Sequence, residues 1–207
     1  MLSTTAFLAL AMQCAPSVHP DTVLDIARVE SGFNPYAIAE IIPKSERQPD
    51  KPNVISYHPK TDADAIRLIN QIEQKKRRYS VGLMQITSTN FNHYRVTARD
   101  LLEPCTNLAI FEKILTDCYQ RGGSLKRALS CYYTGNFSTG QKKEETFNHT
   151  SYIERIGYKK TPQYVVPSVK QDITDNRRTL TAVAPSLSKK NITRYPRHLL
   201  RGEFVTD

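Results

Sequence analysis

Apolar positions recur at helical spacing as far as about Gly157 and then lose their period. Leu2 to Met12 is apolar, with Phe7, Leu10 and Ala11 spaced to share one helical face. Ala9-Leu10-Ala11 also has the small-x-small form of a signal-peptidase site, but no Lys or Arg precedes Arg28. Without a basic start the signal-peptide reading is weaker, and a first core helix is favoured. Pro20-Asp21 opens a second helix, because proline suits the first helical position and aspartate meets the positive end of the dipole. Val23, Ile26 and Ala27 mark its apolar face, and Gly32 with Asn34-Pro35 ends it. Pro43, Pro49, Pro52 and Pro59 make residues 43–60 a loop, with Val54 to Tyr57 as a short strand inside it. Thr61 or Asp62 caps a third helix striped by Ala65, Ile69 and Ile72. Lys75 to Arg78 follows as a basic run that reads as its solvated C-terminal end.

Farther on, Thr97 to Glu103 reads as a short helix closed by Pro104. Thr106 caps another, with Leu108, Phe111, Leu115, Cys118 and Tyr119 on one side and Gly122-Gly123 as its stop. Ser124 caps the next, turning Leu125, Ala128, Leu129 and Tyr132 inward, and a last helix runs from Thr150 through Ile156. The pattern predicts a mainly helical α+β domain over residues 1–157, with a small hairpin near Val54 or Tyr79. Residues 158–207 carry Pro162, Pro167, Pro185 and Pro196 and few large apolar side chains. Such a segment buries too little surface to offset its ordering entropy, so it reads as a disordered tail.

Charge sharpens this division. The chain of 207 residues has a formal net charge of +9. Ten basic and four acidic residues put +6 of it between Tyr158 and Asp207. A basic tail favours polyanions without choosing among them. Clustered recognition-helix arginines, a zinc finger and aromatic stacking repeats are all missing, which argues against nucleic acid. No apolar run approaches the roughly 18 to 20 residues of a membrane span. Cys14, Cys105, Cys118 and Cys131 form no C-x-x-C pair and have no histidine cluster beside them, which argues against zinc. Paired disulfides and buried thiols remain equally open.

Glu30 is the first chemically unusual residue. It follows Val23, Ile26 and Ala27 by seven, four and three positions, so a carboxyl points where the core points. In a cleft wall, desolvation would raise its pKa and make it a proton donor near neutral pH. Gly82-Leu83-Met84-Gln85-Ile86 adds a glycine for close backbone approach and an amide able to bind a sugar hydroxyl or acetamido group. Ala128 to Asn136 brings Tyr132 and Tyr133 to a helix end stopped by Gly135, and Tyr152 adds a late hydroxyl. Each segment alone fits an ordinary core, but their order and combination are specific.

A-R-V-E-S-G-F-N-P (Ala27 to Pro35), then G-L-M-Q-I, then the Y-x-x-G element at Tyr132, then Tyr152, resembles the soluble lytic transglycosylases of glycoside hydrolase family 23. Leu8 to Pro16 and Pro104 to Leu108 resemble the short lytic transglycosylases of type IV secretion systems. The likeness covers roughly residues 6 to 157. It implies a lysozyme-like fold and cleavage of the MurNAc–GlcNAc bond of peptidoglycan glycan strands. In that reading Glu30 is the catalytic acid and base, supported by Ser31. Met84, Gln85 and Tyr132 line the sugar cleft, and Tyr152 sits near the glutamate. Two positions depart from the pattern: Tyr133 stands where an asparagine is usual, and Ala39 where many relatives have serine or glycine.

No second acid stands out at any motif, whereas most glycosidases use two carboxylates. The resemblance therefore implies a substrate-internal nucleophile and a 1,6-anhydro product, with neither metal nor organic cofactor. Goose-type lysozyme-like hydrolysis and catalytically weak wall binding are the competing readings. The implied location is the periplasm or cell envelope, with secretion-system proteins as partners.

Overall fold

The structure is a computed structural model and describes residues 1–158, so the predicted tail lies outside the described residues apart from Tyr158. Seven α-helices and four strands occur among them. The first helix, α1 (Thr4–Cys14), is capped by the Ser3 side chain and buries Phe7, Ala11 and Cys14. The apolar start is thus a core helix, as its period predicts. Helix α2 (Pro20–Glu30) carries proline in its first turn and Asp21 beside it. At its end Gly32 and Phe33 both take positive φ, 57° and 66°, and reverse the chain. Phe33 is the costly one, since only glycine visits that region freely. Phe7 packs on its ring at 5.1 Å, and the Leu2 amide donates to its carbonyl at 2.9 Å.

The hairpin expected near Val54 or Tyr79 proves to be a four-stranded antiparallel sheet. Its strands are β1 (Ile38–Ile41), β2 (Val54–Tyr57), β3 (Arg78–Val81) and β4 (Ile86–Thr87), in the order β2-β1-β3-β4. Strand β1 escaped the sequence pattern because its buried face holds Ile38 and Glu40, and a glutamate breaks apolar alternation. Glu40 is fully buried and compensated. It accepts from Arg77 at 2.6 Å and Tyr57 at 2.8 Å, with Lys75 at 3.6 Å. The basic run after α3 (Asp62–Gln74) is therefore not merely a solvated helix end. Lys75 and Arg77 neutralise a carboxylate inside the sheet, and Arg78 begins β3.

Helix α4 (Phe91–Tyr94) is a single turn, and Asp100–Leu102 is a 3-10 turn where a longer helix was expected. Pro104 does not close that segment but opens α5 (Pro104–Gly122), two residues before the predicted cap at Thr106. A missing N–H costs nothing at the first helical position, so the proline belongs there. Gly123 ends α5 in the left-handed region, and Ser124 caps α6 (Leu125–Thr134). The short α7 (Tyr152–Arg155) starts with a capping box between Ser151 and Glu154. All four cysteines are paired, Cys14 with Cys105 and Cys118 with Cys131. The first bond fixes α1 to α5 and the second α5 to α6.

Candidate active site

Glu30 is the last residue of α2, and its phase with Val23, Ile26 and Ala27 turns the carboxyl toward the protein interior. The side chain keeps partial exposure although protein surrounds it. Burial pushes its pKa up to about 7. A hydrogen bond from Tyr152 and the charge of Arg155 pull the other way without cancelling the desolvation. A carboxyl with that pKa is divided between acid and base near neutral pH, so it can both give and take a proton.

Tyr152 donates its hydroxyl to Glu30 Oε1 across 122 positions of sequence. Its pKa lies well above the ordinary value, through burial and then the neighbouring Glu30 charge, so it keeps its proton and remains a donor. Tyr132 is likewise raised by burial and by Glu30, which places its hydroxyl in the same electrostatic neighbourhood. That hydroxyl donates to the Met84 carbonyl, and the ring meets Phe111 edge-on at 5.3 Å. Three sequence elements far apart in the chain therefore converge on one carboxyl.

The Gly82–Ile86 segment is a tight turn joining β3 to β4, held from behind by Asn107 of α5. Asn107 is fully buried. Its amide donates to Val81 and Leu101 carbonyls at 3.1 and 2.8 Å, and its oxygen accepts from the Met84 amide at 2.9 Å. Gly82, at φ 83°, has no alternative residue: an added Cβ would lie 2.1 Å from Asn107 Nδ2 and 2.5 Å from the Leu101 carbonyl oxygen. Met84 is completely buried, and what it gives the site is its backbone carbonyl, which accepts from Tyr132. Gln85 sits at φ 51° and is partly exposed. Its amide nitrogen is spent on the Ala37 and Gly82 carbonyls at 3.1 and 3.0 Å, which leaves its side-chain oxygen as the group it offers.

Ser31 caps α2, is buried, and donates its hydroxyl to the Ala27 carbonyl at 3.3 Å. It steadies the turn that carries Glu30 rather than facing outward. Ala39 lies in the middle of β1 opposite Ser80 and Ser56. Tyr133 stacks flat on Tyr152, with centroids 4.1 Å apart and planes 3° from parallel. Two contributors were not singled out from sequence. Asn107 could have been found as a lone amide on the buried face of α5. Arg155, whose charge reaches Glu30, gave no signal beyond its place three residues after Tyr152.

Carboxylates elsewhere are engaged away from Glu30. Glu40 is tied to Arg77, Glu144 to Arg155, Asp25 to Arg28 at 2.8 Å, and Glu154 to the Ser151 cap. Among the described residues no group of three or more His, Cys, Asp or Glu is assembled to hold a metal, and no helix is long and apolar enough to cross a membrane.

A family profile described as Transglycosylase SLT domain matches residues 7–154. A type IV secretion system protein virB1 from Brucella abortus is 38% identical over 159 residues, covering 72% of this chain and 62% of the relative. Protein virB1 from Agrobacterium fabrum is 35% identical over 146 residues, covering 67% and 56%. Protein virB1 from Rhizobium radiobacter is 29% identical over 186 residues, covering 86% and 70%. The chain thus spans about three fifths of the length of the Brucella relative. No solved structure matches. With a single poised carboxyl, a buried tyrosine on it and the profile running through both, the chain belongs to the transglycosylase SLT domain family.

Proposed function

We propose that this protein is a lytic transglycosylase that cuts the MurNAc–GlcNAc β-1,4 bond of peptidoglycan and leaves 1,6-anhydro-MurNAc ends. The observation carrying this reading is one carboxyl with a pKa near 7, hydrogen-bonded by Tyr152 and set beside Tyr132 and the Met84 turn. Glu30 protonates the glycosidic oxygen as the C1–O4 bond breaks, and positive charge develops on the sugar ring. The carboxylate so formed then removes the proton of the C6 hydroxyl of the same sugar. The C1–O6 bond closes, and Glu30 is again protonated for the next cycle. Atoms balance without water, which is why one carboxyl suffices where two-carboxylate glycosidases need a pair. A positioned acid and base of this kind supplies about 10² to 10⁴ in rate. Tyr152, kept protonated, steadies the charged form of Glu30 between the two transfers. Gln85 offers an acceptor oxygen to a sugar N–H or O–H.

The virB1 relatives carry type IV secretion in their names. By that likeness the cut opens the wall locally for such a machine, in the periplasm or envelope, with its components as partners. Purified sacculi incubated with wild type and with Glu30→Gln provide the test. Soluble muropeptides are expected from wild type alone. Equal release by both proteins would remove Glu30 from the chemistry, and binding without release by either would leave a wall-binding factor.

A further inference from the structure

Tyr133, which departs from the expected asparagine, is built into a cluster with Tyr152, Glu144 and Arg155. Its ring covers that of Tyr152 in a parallel stack. Its hydroxyl donates to Glu144 at 3.1 Å. Arg155, only 15% exposed, donates to Glu144 at 2.8 Å and to the Thr150 carbonyl at 3.2 Å. The guanidinium lies 5.5 Å from the Tyr133 centroid, 5.7 Å from that of Tyr152, and 3.9 Å from that of Phe147. Contacts of this kind hold both rings and cation, since a guanidinium prefers an aromatic face and stacked rings resist tilting. A main-chain bridge from Glu144 to Thr150 closes the loop that carries Phe147.

We propose that Arg155 and Tyr133 are positioning residues for the Glu30–Tyr152 pair. Tyr133 and Arg155 fix the Tyr152 ring so that its hydroxyl meets Glu30, and the Arg155 charge sets the pH range in which Glu30 holds a proton. This rests on Glu30 being the reacting carboxyl. The charged or titratable groups facing Glu30 are Tyr152 and Arg155 from α7 and Tyr132 from α6. Helix α1, packed on α2, carries no charged side chain, and neither does the Gly82–Gln85 turn. On α2 itself Asp25 and Arg28 pair with each other. Arg155 is therefore the cation that acts on this carboxyl, and Glu144 is the acid that partly balances it.

Activity on sacculi, measured against pH, tests the idea because activity falls as Glu30 loses its proton. Arg155→Met withdraws a stabilising charge from the carboxylate, so the midpoint of the alkaline decline is expected to rise by on the order of half a unit. Arg155→Lys keeps the charge and loses the planar stack, giving a lower rate with the wild-type midpoint. Glu144→Gln, at a partly exposed acid, leaves the guanidinium uncompensated and moves the midpoint down. It also serves as the independent measurement if Arg155→Met does not fold. Tyr133→Phe keeps the stack and the midpoint, whereas Tyr133→Ala lowers kcat several-fold. Midpoints unmoved in both Arg155→Met and Glu144→Gln would overturn the proposal while leaving the role of Glu30 intact. Wild-type activity in Glu30→Gln would instead overturn the function on which the proposal rests.

Discussion

Replacing Glu30 by Gln should stabilise this protein at alkaline pH while abolishing its activity. The ordinary carboxyl value is 4.5, and in the fold the group is pushed up to about 7. A rise of that size is about 3 kcal/mol of preference for the neutral form, at 1.36 kcal/mol per unit. The folded state then binds a proton that the unfolded chain has already released. Between about 4.5 and 7 the wild type loses stability as pH rises, and above 7 the full cost is present. Gln has the same shape and no charge to desolvate, so it carries no such cost at any pH. Thermal unfolding of both proteins from pH 4 to 8.5 isolates the effect, because every other titrating group cancels in the difference. The Gln protein should gain about 3 kcal/mol relative to wild type across that range, or roughly 6 to 12 °C in Tm for a domain of this size. A difference that stays constant with pH would refute the claim that Glu30 is held neutral by burial.

Tyr152→Phe removes the hydrogen bond that favours the Glu30 carboxylate, so the alkaline limb of activity should move up while the rate falls about tenfold or more, as a pH–rate series would show. Asn107→Ala strands one amide and two carbonyls beneath the Gly82–Met84 turn. At about 1 kcal/mol or more per orphaned group the loss is roughly 3 kcal/mol, measurable by denaturant unfolding. Replacing Cys14 and Cys105 by Ser opens a loop of sequence separation 91 and should cost about 4.6 kcal/mol by the same assay.

Much of the site was legible because its signals are local. The phase of Glu30 against Val23, Ile26 and Ala27 needs only the helical period, and Pro20, Ser124, Gly123 and Gly135 announce their helix ends through backbone restrictions that any fold must respect. Strand β1 was hidden because the residue that breaks its pattern, Glu40, is satisfied by Arg77, thirty-seven positions away. Long-range compensation of that kind leaves no periodic trace. The same holds for Met84 and Ser31. The resemblance implied a Met84 side chain lining the sugar cleft and a Ser31 in support of Glu30; the fold employs the Met84 backbone and turns the Ser31 hydroxyl to a carbonyl of the helix that carries Glu30. Arg155 and Tyr133 became meaningful only once the rings around Tyr152 were placed.

Digestion of purified sacculi in heavy-oxygen water, followed by mass spectrometry of the new sugar ends, bears most directly on a proton passing out of Glu30 and back. Wild type is expected to yield anhydro ends, lighter by one water than hydrolytic ends and free of heavy oxygen, and Glu30→Gln to yield none. Heavy oxygen at newly formed reducing ends would contradict ring closure by the sugar's own hydroxyl.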